Sequence, residues 1–340
     1  MKKVLLLFLI TCVLTSCSKS PEKFTNYYFD YFDTVTTVTG YADSKDSFDE
    51  VCGEIETMLK DYHQLYTIYN RYDGINNLYT VNTTDGAVEV DERIIDLLEY
   101  AKEVYAMTGG KTNVAMGSVL SIWHDHRTIG SNHPEKATLP PMERLVKAAD
   151  HIDIEKIIID RENSTVELAD SEMSIDVGAL AKGYATEMVA KWLEDNGYTG
   201  YILNVGGNVR TVGAKADGEK WTVGLENPDA TGEDDAYIEY LSLAGETVVT
   251  SGSYQRYYIV DGKQYHHIID PETLMPSENF RSVSVICDNS ALGDALSTAL
   301  FCMTYEDGMA LVESLDGVEA MWLSNIGEVK YSNGFDKYRQ

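Results

Sequence analysis

Two hydrophobic periods alternate along the chain. Phe48, Val51, Cys52, Ile55, Met58, Leu59 and Tyr62 recur every three or four positions. So do Ile94, Leu97, Leu98, Ala101, Val104 and Tyr105. Each set places apolar side chains on one face and predicts an amphipathic helix. Shorter helical patterns fall at 141–149 and 291–303, and another at 179–196 is closed by Gly197, a left-handed stop. Runs rich in Val, Ile, Thr and aromatic residues predict strands at 31–41, 152–159, 165–168, 201–205, 221–225, 238–243, 247–250 and 282–287. The runs 256–260 and 264–269 flank Asp261-Gly262, a hairpin turn signal. Neither strict alternation nor an all-β order results, so the fold class expected is α+β. With no internal repeat and no long linker, 30–340 reads as one mixed domain.

The N-terminus follows a different pattern. Lys2 and Lys3 precede an apolar run from Val4 to Leu14 broken only by Thr11. That run is too short to span a bilayer and suits the core of a signal peptide. Leu14-Thr15-Ser16-Cys17 resembles a bacterial lipobox. The expectation is a leader over 1–16, a lipidated tether over 17–29 beginning at Cys17, and an extracytoplasmic protein anchored to the cell membrane. The alternative is an ordinary signal peptide with a chance cysteine. Composition narrows the classes further. The chain has 340 residues, 44% hydrophobic, with 27 Lys plus Arg against 55 Asp plus Glu and a net charge of −28. Such a field repels nucleic acid, so no nucleic-acid partner is expected. Beyond the leader, Cys52, Cys287 and Cys302 form no C-x-x-C pair, which argues against a disulfide framework and a thiolate zinc site.

Four stretches carry candidate chemistry. Asp176-Val177-Gly178-Ala179-Leu180-Ala181-Lys182-Gly183-Tyr184-Ala185 places an acid, a tight turn and a lysine at a helix start. It suits an anion, or equally an Asp cap beside a solvated lysine. Asn204-Val205-Gly206-Gly207-Asn208 ends a strand with two glycines, as an anion nest or a plain turn. Tyr265-His266-His267-Ile268-Ile269-Asp270-Pro271 puts two histidines on opposite sides of a strand end, so one of them at most enters a given site. Asp294 and Thr298 share a helix face at i and i+4, as hard-cation ligands or as an N-terminal acid favoured by the helix dipole.

In order and wording these stretches resemble the ApbE-type flavin transferases, the FAD:protein FMN transferases. Ser251-Gly252-Ser253-Tyr254-Gln255-Arg256 and Asp294-Ala295-Leu296-Ser297-Thr298-Ala299-Leu300 add to the match, which runs from about Tyr31 to Met303. The resemblance implies an α+β core related to the T-fold. It also implies Mg²⁺-dependent transfer of FMN from FAD to a Thr or Ser hydroxyl, with AMP released. The acceptors implied are flavin-carrying subunits of membrane redox complexes and FMN-binding domain proteins. Carried over by motif, the Mg²⁺ ligands are the Ala179 carbonyl, Asp294 and Thr298, with Ser297 adjacent. The FAD contacts are Asp176, Lys182, Gly206, Gly207, Thr112, Asn113, His267 and Ile268, with Phe32 and Tyr69 as flavin neighbours. His267 is the reacting group, as base or as nucleophile, and Asp294 its metal-binding partner in catalysis.

The chain departs from the family pattern in two places. Phe32-Asp33-Thr34 stands where many members have Met-Gly-Thr. Within 109–119, Asn113 replaces the usual Asp and Ser118 the usual Pro. Two further readings remain, of which the first needs the same ligands and the second would tolerate loss of Asp294 or His267. One is a hydrolase giving FMN and AMP from FAD; the other is a lipoprotein that binds flavin without chemistry.

Overall fold

A computed structural model describes residues 20–233 and 235–340. Along the chain run β1 (Glu22–Tyr28), β2 (Thr36–Ala42), α1 (Lys45–Tyr66), α2 (Leu78–Thr83), β3 (Val88–Glu89), α3 (Glu92–Met107), α4 (Gly117–Asn132) and α5 (Met142–Ala149). Next come β4 (Ile157–Asp160), β5 (Thr165–Leu168), α6 (Ala181–Asp195), β6 (Tyr201–Val205), β7 (Asn208–Val212), β8 (Trp221–Glu226), β9 (Tyr237–Leu243) and β10 (Thr247–Gly252). The hairpin β11 (Tyr257–Val260) and β12 (Lys263–His266) precedes β13 (Ser282–Cys287), α7 (Ser290–Cys302), α8 (Tyr305–Glu313), β14 (Glu319–Leu323) and β15 (Val329–Tyr331).

Eight strands form one antiparallel sheet in the order β1-β2-β6-β7-β10-β13-β14-β15. The period-two pattern in β13 explains its two faces. Val283, Val285 and Cys287 pack on Leu296, Leu300 and Phe301 of α7. Ile286 points the other way, into a core with Val223, Leu225, Leu241 and Leu243 of the β8–β9 ribbon. The sheet is thus a middle layer between helices and a ribbon. α6 lies over β6 and β7, α7 over β10 and β13, and the two helices pack on each other. A buried ion pair fixes this junction. Arg210 of β7 lies 3.2 Å from Glu187 of α6, whose same oxygen accepts the Ser290 N–H at the start of α7. The α+β class holds, and among the described residues Cys52, Cys287 and Cys302 are buried and free.

Several expectations need correction. The tether over 17–29 is too long, because Glu22–Tyr28 pairs along its whole length with β2 as an edge strand. Its alternation of exposed and half-buried residues is the strand signal missed. The strand expected over 31–41 starts only at Thr36, since Phe32 and Asp33 take positive φ (56° and 51°) and turn the chain. The strand over 152–159 begins at Ile157 after a 3₁₀ turn, and that over 264–269 stops at His266. Helices α2, α4 and α8 and strands β3, β7, β14 and β15 were not expected. The leader over 1–16 and Cys17 lie outside the described residues. Among the described residues no helix is long and apolar enough to cross a membrane.

Candidate functional site

Neighbouring backbone segments bring the motifs together. The stretch 112–117 runs beside 174–176: Met116 bridges Ser174, and the Asp176 N–H donates to the Val114 carbonyl at 2.8 Å. Asn82 of α2 clamps this junction from behind, bonding both the N–H and the carbonyl of Ile175. The main sheet adds the β6–β7 turn and the end of β10, and α7 adds Asp294 and Thr298. All border one cleft. An outer recess shares Tyr69, His124, Arg127, Asp176, Lys182 and Arg256 with it, so the two are continuous.

Asp294 is 4% exposed. Asn289 caps α7, so Asp294 sits in the second turn and is not the N-terminal acid of that helix. One oxygen, Oδ2, accepts the Gly183 N–H at 2.8 Å. The other, Oδ1, faces the Lys182 ammonium at 3.6 Å, beyond hydrogen-bond reach. Gly183 is required here, because a Cβ would lie 2.3 Å from the Ser290 carbonyl and 2.4 Å from the Asp294 Cβ. Thr298 lies one turn on and borders the cleft, as does Ala179. The Ser251 hydroxyl is 2.9 Å from that of Ser297 and 3.4 Å from that of Thr298. Ser297 itself is fully buried behind the cleft wall and donates to the Asp294 carbonyl. Of the four metal ligands expected, three border the cleft and Ser297 supports them.

The two histidines separate as their strand position requires. His266 is buried on the far side, donating through Nε2 to the Ser277 carbonyl at 2.8 Å and accepting the Ile268 N–H at Nδ1. His267 borders the cleft, with Nδ1 3.2 Å from the Arg256 carbonyl. A carbonyl only accepts, so Nδ1 carries the proton and the Nε2 lone pair is free. Burial, aided by the Arg127 and Arg256 guanidiniums, pushes the His267 pKa down to about 3. The ring is therefore neutral at physiological pH.

Asp176 accepts the Gly178 N–H at 2.8 Å, and burial holds its carboxyl above the usual range. It closes a turn and does not cap α6, which begins at Ala181 with no side-chain cap. Thr112 borders the cleft while its hydroxyl donates to the Ala295 carbonyl of α7. Asn113 also borders it, with both ends of its amide bonded to backbone. Gly206 borders the cleft in a positive-φ turn (58°), where a Cβ would meet the Thr34 hydroxyl at 2.3 Å. Gly207 does not reach the cleft; its N–H turns to the Asn204 side chain. Ile268 and Tyr69 line the cleft, and the Tyr69 ring stands 5.2 Å from that of His124. Phe32 lines the outer recess only, edge-on to His63.

Sequence reasoning missed the wall that α4 supplies. Met116, Leu120, Trp123, His124 and Arg127 all border the cleft. Their spacing of three and four was a helical signal, obscured by the polar run from His124 to Arg127. It also missed Lys111, whose ammonium bonds Asp270 at 3.0 Å and Glu272 at 3.2 Å.

Comparison with known proteins agrees with this geometry. The family model described as "ApbE family" matches residues 32–322. An FAD:protein FMN transferase of Klebsiella pneumoniae is 30% identical over 84% of this chain and 86% of its own length. One from Treponema pallidum is 31% identical over 83% of this chain and 79% of its own. The crystal structure of the ApbE protein of Thermotoga maritima superposes with a TM-score of 0.82 at 27% identity, covering 94% of this chain and all of that one. Motif order, cleft geometry and overall similarity lead to one assignment: the chain belongs to the ApbE family.

Proposed function

We propose that this protein is an FAD:protein FMN transferase. It takes FAD as substrate, moves FMN to a Ser or Thr hydroxyl of an acceptor protein, and releases AMP. The observation that carries this reading is the meeting, in one cleft, of His267 with a free Nε2 and of a hard-oxygen set beside it. The relatives named above carry the same activity in their names.

His267 acts as the base. Its Nδ1–H is held by the Arg256 carbonyl, so Nε2 accepts the acceptor hydroxyl proton. The hydroxyl oxygen then forms a bond to the FMN phosphorus, and the bond from that phosphorus to the oxygen bridging to AMP breaks. The electron pair leaves with AMP. Asp176 and Lys182 border the cleft where FAD would lie, and Tyr69 offers an aromatic face to the flavin.

The residues fit a magnesium ion. Ala179, Asp294 and Thr298 offer a carbonyl, a carboxylate and a hydroxyl, and Asp294 keeps one oxygen without a hydrogen bond. Among the described residues no three His, Cys, Asp or Glu gather as a metal cage. A single carboxylate with neutral oxygens is the set expected for Mg²⁺ bound together with substrate phosphates. When bound, the ion supplies charge neutralisation at the pyrophosphate. The lipobox at Leu14–Cys17 supports a lipid anchor at an extracytoplasmic membrane surface. There the acceptors are flavin-carrying subunits of redox complexes or FMN-binding domains.

His267→Gln tests the base. It is expected to bind FAD like the parent and to release AMP at least ~100-fold more slowly, the usual share of a general base. A parent-like rate removes His267 from the reaction. A covalent FMN adduct on His267, found by mass spectrometry after mixing with FAD alone, replaces the base by a nucleophile.

A further inference from the structure

Beyond helping to keep His267 neutral, two guanidiniums in the cleft have no role in the reading above. Arg127 of α4 and Arg256, just after β10, border both the main cleft and the outer recess. Arg93, Arg161, Arg210, Arg281 and Arg339 each hold a carboxylate within 4.0 Å. Among the described residues Arg127 and Arg256 share in no such pair. Their side-chain hydrogen bonds go elsewhere: Arg127 Nη2 lies 3.3 Å from His124 Nδ1, and Arg256 Nη2 donates to the Asp33 carbonyl at 3.3 Å, while the Asp176 carboxylate acts on Arg127 only from beyond ion-pair distance. Arg71 and Arg144 are also outside ion pairs and, like Arg256, exposed, but they do not border the cleft.

Unpaired cations are conspicuous in a chain with 55 acidic residues and a net charge of −28. A guanidinium carries five N–H donors in a planar fork, and most of those on Arg127 and Arg256 remain unused. Burial works against the charge on Arg127 and lowers its pKa. Holding such a charge without a carboxylate is costly unless an anion joins it. A third, independent feature points the same way. Asn208 is 2% exposed, borders the cleft, and its Nδ2 has no hydrogen-bond partner. This donor is unused hydrogen-bonding capacity in the wall of the cleft.

We propose that Arg127 and Arg256 form a two-guanidinium clamp on the non-bridging phosphoryl oxygens of the FMN phosphate during its transfer. The inference rests on the transferase reading and adds the residues that grip the moving group. Their position decides which anion they take. The attacked hydroxyl must lie within hydrogen-bond reach of His267 Nε2 and in bonding line with the phosphorus, and Arg127 and Arg256 line the same cleft as His267. Charge spreads over the equatorial phosphoryl oxygens as the bond to AMP opens, and a fixed fork of donors stabilises it there. Arg256 has two functions: its carbonyl holds the base and its side chain holds the anion.

The test uses Arg127→Ala, Arg127→Lys and Arg256→Ala, with FAD, Mg²⁺ and an acceptor domain, and follows AMP release. Arg256→Ala keeps the carbonyl that holds His267, so any loss reports on the side chain. With FAD saturating, each alanine variant is expected to turn over about 100-fold more slowly, the scale for removing one preorganised donor. Arg127→Lys stays at least about tenfold slow, because an ammonium cannot replace the bidentate fork. Millimolar guanidinium added to Arg127→Ala restores at least about tenfold of the rate while leaving the parent unchanged, which a packing role would not produce. A rate within about threefold of the parent in Arg127→Ala overturns the clamp. So does a slow variant whose melting temperature has dropped and which guanidinium does not rescue. A parent that releases no AMP from FAD overturns the transferase reading and the clamp together, whereas an active parent with an unaffected Arg127→Ala overturns the clamp alone.

Discussion

The Asn113 side chain makes two bonds of opposite sense. Its Oδ1 accepts the Ala115 N–H at 2.9 Å, and its Nδ2 donates to the Ile152 carbonyl at 2.9 Å. An aspartate, usual at this position in the family, could make the first and not the second. The departure read from the sequence is therefore a structural one, a clip between 113–115 and the segment after α5. Asn113→Asp is expected to lower the unfolding free energy by about 1–2 kcal/mol, the cost of stranding one acceptor, with FAD affinity unchanged. Chemical denaturation and flavin fluorescence titration read the two quantities separately. An affinity loss without a stability loss would show that Asn113 contacts FAD directly. At His267 the sign of the pH effect follows from its pKa of about 3 against an ordinary 6.5. Between these values the folded ring binds fewer protons than the unfolded one. The base form therefore persists, while stability falls as pH drops below 6.5. The acid limb of kcat/KM should have its midpoint well below 6.5, since that profile reports the free enzyme. A midpoint at or above 6.5 would show a different base. The residue types of this site were legible in the sequence. The tautomer of His267 and the orphan donor on Asn208 were not, because both depend on partners distant in sequence or on their absence.

Among the elements, α6 and α7 decide the geometry of the candidate metal site. They approach closely because Gly183 has no side chain, and its N–H then reaches Asp294. Gly183→Ala must push the helices apart or strain them, at a cost of about 1–3 kcal/mol, and should weaken Mg²⁺-dependent turnover with it. Gly53→Ala on α1 is the matched control. A Cβ there meets nothing within 4 Å, so the substitution should stabilise the protein by about 0.4–1 kcal/mol and leave turnover unchanged. Equal melting temperatures for the two variants would contradict this packing argument. The long amphipathic helices α1 and α3 were legible because each buries one continuous stripe. Helix α4 was not, since one of its faces lines the cleft with His124 and Arg127 in place of apolar residues. Strand β1 was hidden at the sheet edge, where only one neighbour and part of one face support it.

On the scale of the whole molecule, the sheet is a rigid middle layer that fixes the cleft at the ends of β6 and β10 and the second turn of α7. The Glu187–Arg210 pair and the Ser290 N–H tie these pieces to one point. The class and the motif order were readable from the chain. The eight-strand order was not, because β10 and β13 join across the hairpin β11–β12, and β14 returns to the sheet only after α7 and α8. The most direct test of the account takes the protein lacking its first 17 residues, which keeps every described element. It is mixed with FAD, Mg²⁺ and an FMN-acceptor domain, and the intact masses and AMP are measured beside an Asp294→Ala variant. The account predicts an acceptor heavier by one FMN group, one AMP released per transfer, and neither product without Mg²⁺ or with Asp294→Ala. Free FMN and AMP beside an unmodified acceptor known to be competent, or bound FAD with no AMP at all, would contradict it.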